Sequence, residues 1–345
     1  MHLVHVNLAK GFRGGERQTE LLIEALSHLL PSLQQTLVCQ PDSPMIEHLG
    51  AVDGVRFASA RHQLAGHMGI RDADVIHAHE AKAVHWAWLH HQLFSTPYVI
   101  TRRVDVPVKS KWLNRKSYQQ ADARVAISSL IQSLLVAKGW GEVVRIPSTM
   151  AHLTHSPDVT TSFRAAFPGK RLIGHAGALV DKHKGQRVLI EAARLMLSSH
   201  PDVQFLFFGQ GDDEAALKAE SSDLPNVSWM GFKANIGDYL AGLDLFAFPS
   251  RNEGLGSTLL DVMDCGVPIV ASEVGGIPDV VLHEQTGLLV PPDDAKALAQ
   301  SLGRLLDDEP LRQRLVVNAK AHLTDFTPEA MARQYAALYS SIADQ

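Results

Sequence analysis

The stretch from Phe248 to Gly276 constrains the fold of this chain more tightly than any other. The apolar run Leu243 to Phe248 ends at Pro249, which has no N–H to donate within a central sheet. A polar loop follows, and apolar side chains then recur at helical spacing from Ser257 until Gly266, where a second apolar run begins. The order strand, loop, helix and strand predicts a parallel βαβ unit.

Two acidic residues stand beside the start of this predicted helix. Glu253 lies just outside its N-terminus, and Asp261 lies roughly one turn inside it. Unpaired backbone N–H groups and the positive end of the helix dipole favour a phosphate at such a place. The Glu253 carboxylate can accept hydrogen bonds from sugar hydroxyls, and Asp261 can accept them from another diol. We therefore predict a site for a sugar joined to a phosphate; the alternative is incidental surface acids on a glycine-rich βαβ turn.

Strand and helix patterns alternate along the 345 residues, which predicts α/β architecture with parallel sheets. Single cores stop growing near about 250–300 residues, so we expect two domains. Residues 151–168 lack periodicity and contain two prolines, and we place a linker there between domains at 1–150 and 169–325. Residues 326–345 have the pattern of an amphipathic terminal helix.

The composition is that of a soluble globular protein of a reducing compartment. Two cysteines, Cys39 and Cys265, argue against a disulfide framework. The N-terminus has no basic and apolar signal pattern, and no apolar run reaches the ~18 residues that suggest a membrane span. We expect a cytoplasmic protein.

The net charge of −5 is unevenly distributed. Residues 1–150 carry 16 Lys and Arg against 12 Asp and Glu, whereas residues 151–345 carry 16 against 25. A basic half joined to an acidic half indicates that the two halves meet different partners.

A glycine-containing loop, Lys10–Arg17, separates the first predicted strand, Leu3–Leu8, from the first predicted helix, Gln18–Leu30. Gly14 and Gly15 would let backbone amides approach a phosphate or a sugar closely. The loop is not a P-loop, because no Gly-Lys-Ser/Thr follows. A tight strand-to-helix turn without a ligand is the alternative.

A second candidate segment, Asp74–Glu80, closes a predicted strand into a helix. His77 and His79 would point the same way if the strand continued through both, which raises the possibility of a metal pair. No third ligand stands at a recognisable spacing, and histidines are scattered through the chain. No Asp-x-Asp motif is present either, so we expect no metal.

The segment Arg102–Lys116 carries six basic side chains and one acid, Asp105, with Trp112 among them. A solvated charged face is the ordinary interpretation. Basic residues beside an indole also suit an anionic membrane surface, and an anionic glycan could use the same surface. These alternatives stay open on the sequence.

The motifs together resemble those of retaining glycosyltransferases of family 4. An acid, seven residues and a second acid are framed by PS…EG.G and followed by G.P.VAS..GG, as in the C-terminal half of that family. The family usually has Glu at both acidic positions, whereas this chain has Asp261 at the second. Lys184-Gly185 matches the end of the family's Arg…Lys-Gly pattern, but Ala178 stands where its Arg is expected, and Lys182 is a candidate to supply the missing charge.

The resemblance implies a GT-B fold, in which two doubly wound Rossmann-like α/β domains face each other across a cleft and the terminal helix returns to the first domain. Transfer would then run from a nucleoside diphosphate sugar, of the UDP- or GDP-hexose type, to a glycan or lipid-linked acceptor. Cell-surface polysaccharide or lipopolysaccharide synthesis in bacteria, at the inner face of the membrane, would be the setting. No cofactor, metal or nucleic-acid partner is expected.

The resemblance also implies roles for individual residues. Catalysis would depend on Glu253, Lys184 and His79, through charge stabilisation rather than a protein nucleophile. Arg17, Arg102 and Arg103 are acceptor-side candidates. The expected donor-binding residues are Gly14, Gly15, Lys182, Phe232, Lys233, Gly254, Leu255, Gly256, Ser257, Thr258 and Asp261.

Two other functional classes remain open. A GT-B sugar-nucleotide epimerase needs the same donor site but no acceptor surface. In a non-catalytic subunit of a glycan-assembly complex, Ala178 and Asp261 would reflect loss of the family's active-site residues. The retained Glu253, Lys184 and His79 argue against such a loss.

Overall fold

The structure of the protein is a computed structural model that describes residues 1–344. It divides into two compact units: unit 1 comprises residues 1–149 and the residues from Asp325 onward, and unit 2 comprises residues 150–324. The predicted linker, 151–168, belongs to unit 2 and contains a helix, Pro157–Ala165, whose Phe163 is buried. One buried aromatic on a nine-residue helix gives too little periodicity for a sequence pattern to reveal.

Within the described residues of unit 1, seven strands form one sheet. They are β1 (His2–Asn7), β2 (Gln34–Cys39), β3 (Val55–Ser59), β4 (Val75–Ala78), β5 (Tyr98–Arg102), β6 (Ala123–Ala126) and β7 (Val143–Arg145). All neighbours are parallel, and the order across the sheet is β3-β2-β1-β4-β5-β6-β7. Every residue of β1 and β4 is buried, as expected for parallel strands that helices cover on both faces.

Helices connect these strands. They are α1 (Gly14–Leu29), α2 (Met45–His48), α3 (Ala81–Phe94), α4 (Trp112–Gln119) and α5 (Ser129–Val136), with a single 3-10 turn at His67–Ile70. Helix α1 begins four residues before the predicted start at Gln18, so Gly14 and Gly15 form its first turn instead of a loop. The carboxylate of Glu16 accepts a hydrogen bond from the Arg13 N–H at 2.8 Å, which satisfies a donor at this helix start.

The C-terminal helix, Pro328–Ala343, packs against α1 in unit 1. Thr327 caps it by accepting from the Ala330 N–H at 3.1 Å. The hydroxyl of Tyr339 lies 2.6 Å from His77 Nδ1, and the hydroxyl of Tyr335 lies 2.8 Å from Thr101 Oγ1. The last helix is therefore joined to β4 and β5 by buried polar contacts as well as by apolar packing.

Unit 2 contains a second parallel sheet, which has six strands within the described residues. They are β8 (Arg171–Ala176), β9 (Val203–Phe208), β10 (Val227–Gly231), β11 (Leu245–Phe248), β12 (Ile269–Ser272) and β13 (Leu288–Val290). Their order is β10-β9-β8-β11-β12-β13. The helices are α6 (Pro157–Ala165), α7 (Asp181–Lys184), α8 (Gln186–Met196), α9 (Glu214–Glu220), α10 (Ile236–Leu240), α11 (Ser257–Asp264), α12 (Ile277–Val280), α13 (Ala295–Asp307) and α14 (Glu309–His322), and the C-terminal helix is α15. Each unit thus has the predicted doubly wound α/β fold.

Each sheet reverses its winding direction once. The chain winds outward in one direction from β1 and in the other from β4 in unit 1, and likewise from β8 and β11 in unit 2. The loops that follow such neighbouring strands diverge at the carboxyl edge of the sheet, where open α/β sheets bind ligands. The reversal therefore marks one candidate site in each unit.

We expect Tyr339→Phe to destabilise unit 1 by about 1–3 kcal/mol, because it leaves His77 Nδ1 buried without a partner. Urea denaturation followed by circular dichroism measures the change. Ser340→Ala, on the exposed side of the same helix, is the matched control and should be neutral. Equal stability of Tyr339→Phe and wild type would show that this hydroxyl contributes nothing.

Candidate functional site

The reversal point of unit 2 brings Lys184 and Glu253 together. Lys184 ends α7 after β8, and Glu253 lies in the loop after β11. The Lys184 ammonium donates to Glu253 Oε1, which also accepts from Ser250 Oγ at 3.0 Å. The same ammonium lies 5.4 Å from the centre of the Phe248 ring, a cation–π contact. The two charges of the predicted catalytic pair thus neutralise each other in this structure.

Two glycines let the surrounding backbone close around this pair. Gly185 has φ +65°, and a Cβ built there would lie 2.1 Å from the Pro249 carbonyl oxygen. Gly275 has φ +59°, and its Cβ would lie 2.0 Å from the Glu253 carbonyl oxygen. Both values are far below a van der Waals contact, so other residues would displace the loop that carries Glu253.

Helix α11 begins at Ser257, as predicted, directly after the Glu253 loop. Gly256 precedes it with φ +84°. Leu255 is buried, whereas Gly254, Ser257 and Thr258 are partly exposed. The N–H groups of this first turn are the phosphate donors that the sequence predicts.

Asp261 has a structural contact that the sequence did not indicate. Its Oδ1 accepts a hydrogen bond from the Ala151 N–H at 2.6 Å. His152, one residue later, lies 3.3 Å from the Asp264 carboxylate on the same helix. The first residues of unit 2 are therefore bonded to α11 through the second predicted acid.

Position 178 has Ala where the resembled family has Arg, and no contact of Lys182 in the structure indicates that its ammonium supplies the missing positive charge. Ala178 and Lys182 are both exposed to solvent, and Ala178 contributes its carbonyl oxygen to a 2.9 Å hydrogen bond from Gln186 Nε2. A guanidinium does lie near this loop, that of Arg251. Its Nε donates to Asp293 Oδ1 at 2.5 Å, and its Nη1 donates to Asp181 Oδ2 at 3.1 Å.

No local motif marks Arg251 in the sequence, because its partners Asp181 and Asp293 are distant in the chain. Burial raises the pKa of the Asp181 carboxyl, but hydrogen bonds from Arg187 and Arg251 outweigh burial and hold that pKa below its usual value. The Asp181 carboxylate is therefore charged at neutral pH. The arginine positions loops here and is not an unpaired cation.

A cavity of about 370 Å³ opens in unit 2 beside Phe232 and Lys233, two of the predicted donor-binding residues. Residues 153–156 and 234–238 line it. Of the predicted residues next to it, Phe232 is 65% exposed and Lys233 Nζ lies 5.1 Å from the centre of the Tyr239 ring. The sequence predicts a linker at residues 151–168, so the contribution of residues 153–156 to the cavity wall was not predicted.

In unit 1 the first turn of α1 lies near Arg103, the residue that follows β5. Gly14 has open space where a Cβ would stand, within 4 Å, and Gly15 would meet Arg103 Cδ at 3.8 Å, an ordinary contact. Neither glycine is required by the packing of unit 1. Arg17 forms an ion pair with the buried Glu20 carboxylate at 3.1 Å, so this acceptor-side candidate already has a partner.

His79 lies within a cluster of three buried histidines. His5 of β1 pairs in register with His77 of β4, and this pairing supplies the third imidazole that no sequence spacing revealed. The ligand nitrogens of His5, His77 and His79 lie within 4.8 Å of one another, close enough to consider a metal. Each ring nitrogen, however, already has a hydrogen-bond partner: Gln35 and His79 for His5, Thr101 and Tyr339 for His77, and His5 and Arg103 for His79.

The electrostatics of the cluster agree with neutral rings. Burial lowers the pKa of His5 to about 4, and burial, with neighbouring imidazoles and Arg103, lowers the pKa values of His77 and His79 well below 6.5. Hydrogen bonding therefore accounts for the cluster without an ion, and the absence of a metal stays a prediction.

The basic residues of Arg102–Lys116 differ in their surroundings. Arg102 donates to the Val106 carbonyl oxygen at 2.5 Å and so holds its own loop. Arg103 contacts Ser148 Oγ at 3.3 Å and His79 Nδ1 at 3.5 Å, while its buried Nε has no partner. Lys109, Lys111 and Arg115 are exposed, with Val104, Val106 and Trp112 exposed beside them.

Among the described residues, no helix combines the length and the apolarity that crossing a bilayer would require.

Residues 170–308 match the sequence profile of the family described as "Glycosyl transferases group 1". A lipopolysaccharide core biosynthesis mannosyltransferase of Rhizobium meliloti is 32% identical over 186 residues, covering 51% of this chain and 53% of that protein. The chain thus spans about half the length of this relative. A phosphatidyl-myo-inositol mannosyltransferase of Mycobacterium leprae is 26% identical over 352 residues, covering 98% of this chain and 92% of that protein.

Solved structures show the same fold over the whole chain. The crystal structure of Anabaena HepE in complex with UDP superimposes with a TM-score of 0.84 at 20% identity, covering 99% of this chain and 100% of that one. Sucrose-phosphate synthase from Thermosynechococcus elongatus superimposes with a TM-score of 0.79 at 20% identity, covering 99% and 98%. At this identity the likeness concerns the fold alone.

We expect Gly14→Ala to leave the stability of the protein unchanged or to raise it by up to about 1 kcal/mol, since alanine is the better helix former and its Cβ meets nothing. Gly185→Ala should cost about 2 kcal/mol or more, because of its positive φ and the Pro249 carbonyl. Urea denaturation of both variants gives the comparison. A loss of stability in Gly14→Ala would mean that the fold itself requires this glycine.

Proposed function

We propose that this chain, which has the GT-B fold and in unit 2 a segment similar to group 1 glycosyl transferases, is a glycosyltransferase of family 4 that transfers a hexose from a UDP- or GDP-hexose with retention of configuration. The proposed acceptor is a glycan or a lipid-linked glycan of a bacterial cell surface. Support comes from the lipopolysaccharide and phosphatidyl-inositol mannosyltransferases among its relatives. The proposed location is the cytoplasm, at the inner face of the cell membrane.

The observation that carries the donor assignment is the Lys184–Glu253 ion pair at the reversal point of unit 2. A diphosphate would compete with the Glu253 carboxylate for the Lys184 ammonium. Release from Lys184 would leave Glu253 free to accept hydrogen bonds from the hydroxyls of the transferred sugar. One binding event would thus exchange an internal ion pair for two ligand contacts.

Charge stabilisation is the proposed source of catalysis. When the bond between the anomeric carbon and the diphosphate breaks, negative charge develops on the leaving group. Lys184 and the N–H groups from Gly256 to Thr258 would stabilise that charge. They supply positive potential without a divalent ion, so we propose transfer that needs no metal. Gly254, Leu255, Phe232, Lys233 and Asp261 remain proposed donor contacts, as do Gly14, Gly15 and Lys182.

The proposed acceptor side is built from residues of unit 1. Arg103 lies beside Gly15 in the first turn of α1 and contacts His79, and Arg103 Nε keeps a donor for which the described residues offer no acceptor. Arg17 is bonded to Glu20, and Arg102 to its own loop, so both are weaker candidates than Arg103.

The exposed basic and apolar residues of Arg102–Lys116 support a peripheral contact with an anionic membrane. Trp112 is 61% exposed and Val106 is 57% exposed. Apolar side chains exposed together in this way are typical of a surface that contacts a membrane or another molecule. Lys109, Lys111 and Arg115 could contact lipid headgroups, each contributing about 1 kcal/mol near an anionic surface. Such a contact would bring the enzyme close to a lipid-linked acceptor.

Incubation with a panel of UDP- and GDP-hexoses, with and without EDTA, tests the proposal through slow release of nucleoside diphosphate and the anomeric configuration of any product. We expect Glu253→Gln to lower the rate roughly ten- to a hundred-fold, since a charged contact contributes about 1.5–3 kcal/mol. Activity within threefold of wild type would remove Glu253 from the mechanism. Gly14→Ala, if it folds normally, separately tests the proposed backbone approach.

The two lysines of α7 are a matched pair for the donor site. Lys184→Ala should weaken binding of UDP or GDP about tenfold or more in calorimetric titration, whereas Lys182→Ala, at an exposed position, should matter less. Equal small losses would show that neither lysine holds the diphosphate and that the helix amides suffice.

Charge reversal of Lys109, Lys111 and Arg115 should abolish sedimentation with anionic vesicles, and wild-type binding should fall as salt rises, because screening shortens the Debye length to about 8 Å at physiological salt. Reversal of the exposed Arg56 and Arg61 in the same unit is the control. Failure of the wild type to bind anionic vesicles excludes the membrane role. In that case an unchanged acceptor KM after reversal would identify the segment as a solvated face.

A further inference from the structure

A chain of buried hydrogen bonds in unit 1 leads from a backbone carbonyl to the guanidinium of Arg103. Gln35 Nε2 lies 3.1 Å from the Ile23 carbonyl oxygen, and Gln35 Oε1 lies 3.0 Å from His5 Nε2. His5 Nδ1 lies 3.0 Å from His79 Nε2, and His79 Nδ1 lies 3.5 Å from Arg103 Nη2. Strand order creates this path, because β2 and β4 flank β1.

The direction of every bond follows from the first acceptor. A carbonyl oxygen can only accept, so the Gln35 amide nitrogen must face Ile23 and its oxygen must face His5. That oxygen requires an N–H on His5 Nε2. A neutral His5 then has a lone pair on Nδ1, which accepts from an N–H on His79 Nε2, and His79 Nδ1 is left with a lone pair.

At the Arg103 end of the hydrogen-bond path, the donor and acceptor roles run in the same direction. A guanidinium can only donate, so His79 Nδ1 must be an acceptor where it faces Arg103. The two ends are independent, and they agree on the tautomer of both rings. A further proton on either ring would set two donors against each other, and burial lowers the pKa of His5 to about 4.

We propose that His5 and Gln35 are positioning residues, which fix His79 as its Nε2–H tautomer so that the Nδ1 lone pair holds the Arg103 guanidinium beside Gly15. The Cδ of Arg103 would lie 3.8 Å from a Cβ at Gly15, which gives the guanidinium its place in the site. Within the described residues the Glu16 carboxylate attracts Arg103 electrostatically but forms no hydrogen bond with it, and the imidazole lone pair binds the guanidinium without cancelling its positive charge. The consequence for acceptor binding rests on the proposed function.

The alternative tautomer would have the opposite effect. An N–H on His79 Nδ1 would face the N–H groups of Arg103, and repulsion between donors would move the guanidinium away. Positions 5 and 35 touch neither Arg103 nor solvent, since both are buried. Their substitution therefore acts on Arg103 through the buried histidines, His79 above all, and not by direct contact.

Position 5 offers two informative variants. His5→Asn keeps an acceptor for His79 on its Oδ1, whereas His5→Leu removes it. His90→Leu is the matched control, because His90 is a buried imidazole of the same unit. It bonds to His67 and takes no part in the hydrogen-bond path from Gln35 to Arg103. Gln35→Leu provides a second break in the chain if His5→Leu does not fold.

The test is two-bond 1H–15N correlation spectroscopy of the full-length protein, with His79 signals assigned from His79→Gln and the Arg103 Nε–H signal from Arg103→Lys. We expect the Nε2–H tautomer at His79 and a slowly exchanging Arg103 Nε–H in wild type, His5→Asn and His90→Leu. In His5→Leu or Gln35→Leu, the tautomer should become mixed and the Arg103 exchange rate should rise at least tenfold. An Nδ1–H tautomer in the wild type, or an unchanged Arg103 signal in the broken variants, overturns the proposal.

Transfer kinetics add a second readout. His5→Leu should lower kcat/KM for the acceptor at least tenfold, while His5→Asn stays within threefold and KM for the donor stays constant in both. A wild-type acceptor kcat/KM in His5→Leu, with the tautomer lost, overturns the positioning role. If no sugar nucleotide is used by the wild type, the proposed function fails, and the spectroscopic comparison still decides whether His5 and Gln35 hold Arg103.

Discussion

Each parallel sheet of this protein reverses its winding once, and the positions of Lys184, Glu253 and His79 depend on that constraint. Two neighbouring strands with diverging connections leave their carboxyl ends uncovered. In unit 2 the uncovered ends carry Lys184 and Glu253, which meet although 69 positions separate them. In unit 1 the corresponding edge carries His79, which contacts Arg103, and Arg103 in turn lies beside Gly15 at the start of α1. A local motif supplies each side chain, but the strand order supplies its partner.

The fold could be predicted from the sequence because parallel strands buried on both faces are continuous apolar runs. The strands His2–Asn7 and Leu245–Phe248 begin and end within a few residues of their predicted limits, Leu3–Leu8 and Leu243–Phe248. Helix α6 was not predicted, because Phe163 is its one buried residue and a single apolar position gives no helical periodicity. The early start of α1 was missed because glycine disfavours helices in general, whereas a capping contact from Glu16 stabilises this one.

The candidate site was predictable only as far as its motifs are local. Glu253, Ser257 and the start of α11 follow from one stretch of sequence. The contacts of Arg251 with Asp181 and Asp293, and of Asp261 with Ala151, join segments that are 42 to 110 positions apart. A carboxylate at position 261 is one methylene shorter than the glutamate of the resembled family. Its length suits a direct bond to the Ala151 N–H, so the substitution has a structural use within unit 2.

The three histidines beside the sheet of unit 1 show how one residue type serves two tasks in the same buried space. Both ring nitrogens of His77 form hydrogen bonds with hydroxyl groups, those of Tyr339 and Thr101. The Thr101 hydroxyl also forms a hydrogen bond with the Tyr335 hydroxyl. Hydroxyls can donate or accept, so this branch accommodates either tautomer and acts to hold the terminal helix. The branch through His5 and His79 begins at a carbonyl and ends at a guanidinium, which permit one direction only. A network with fixed ends transmits a defined orientation to Arg103, and a network that ends on hydroxyls cannot.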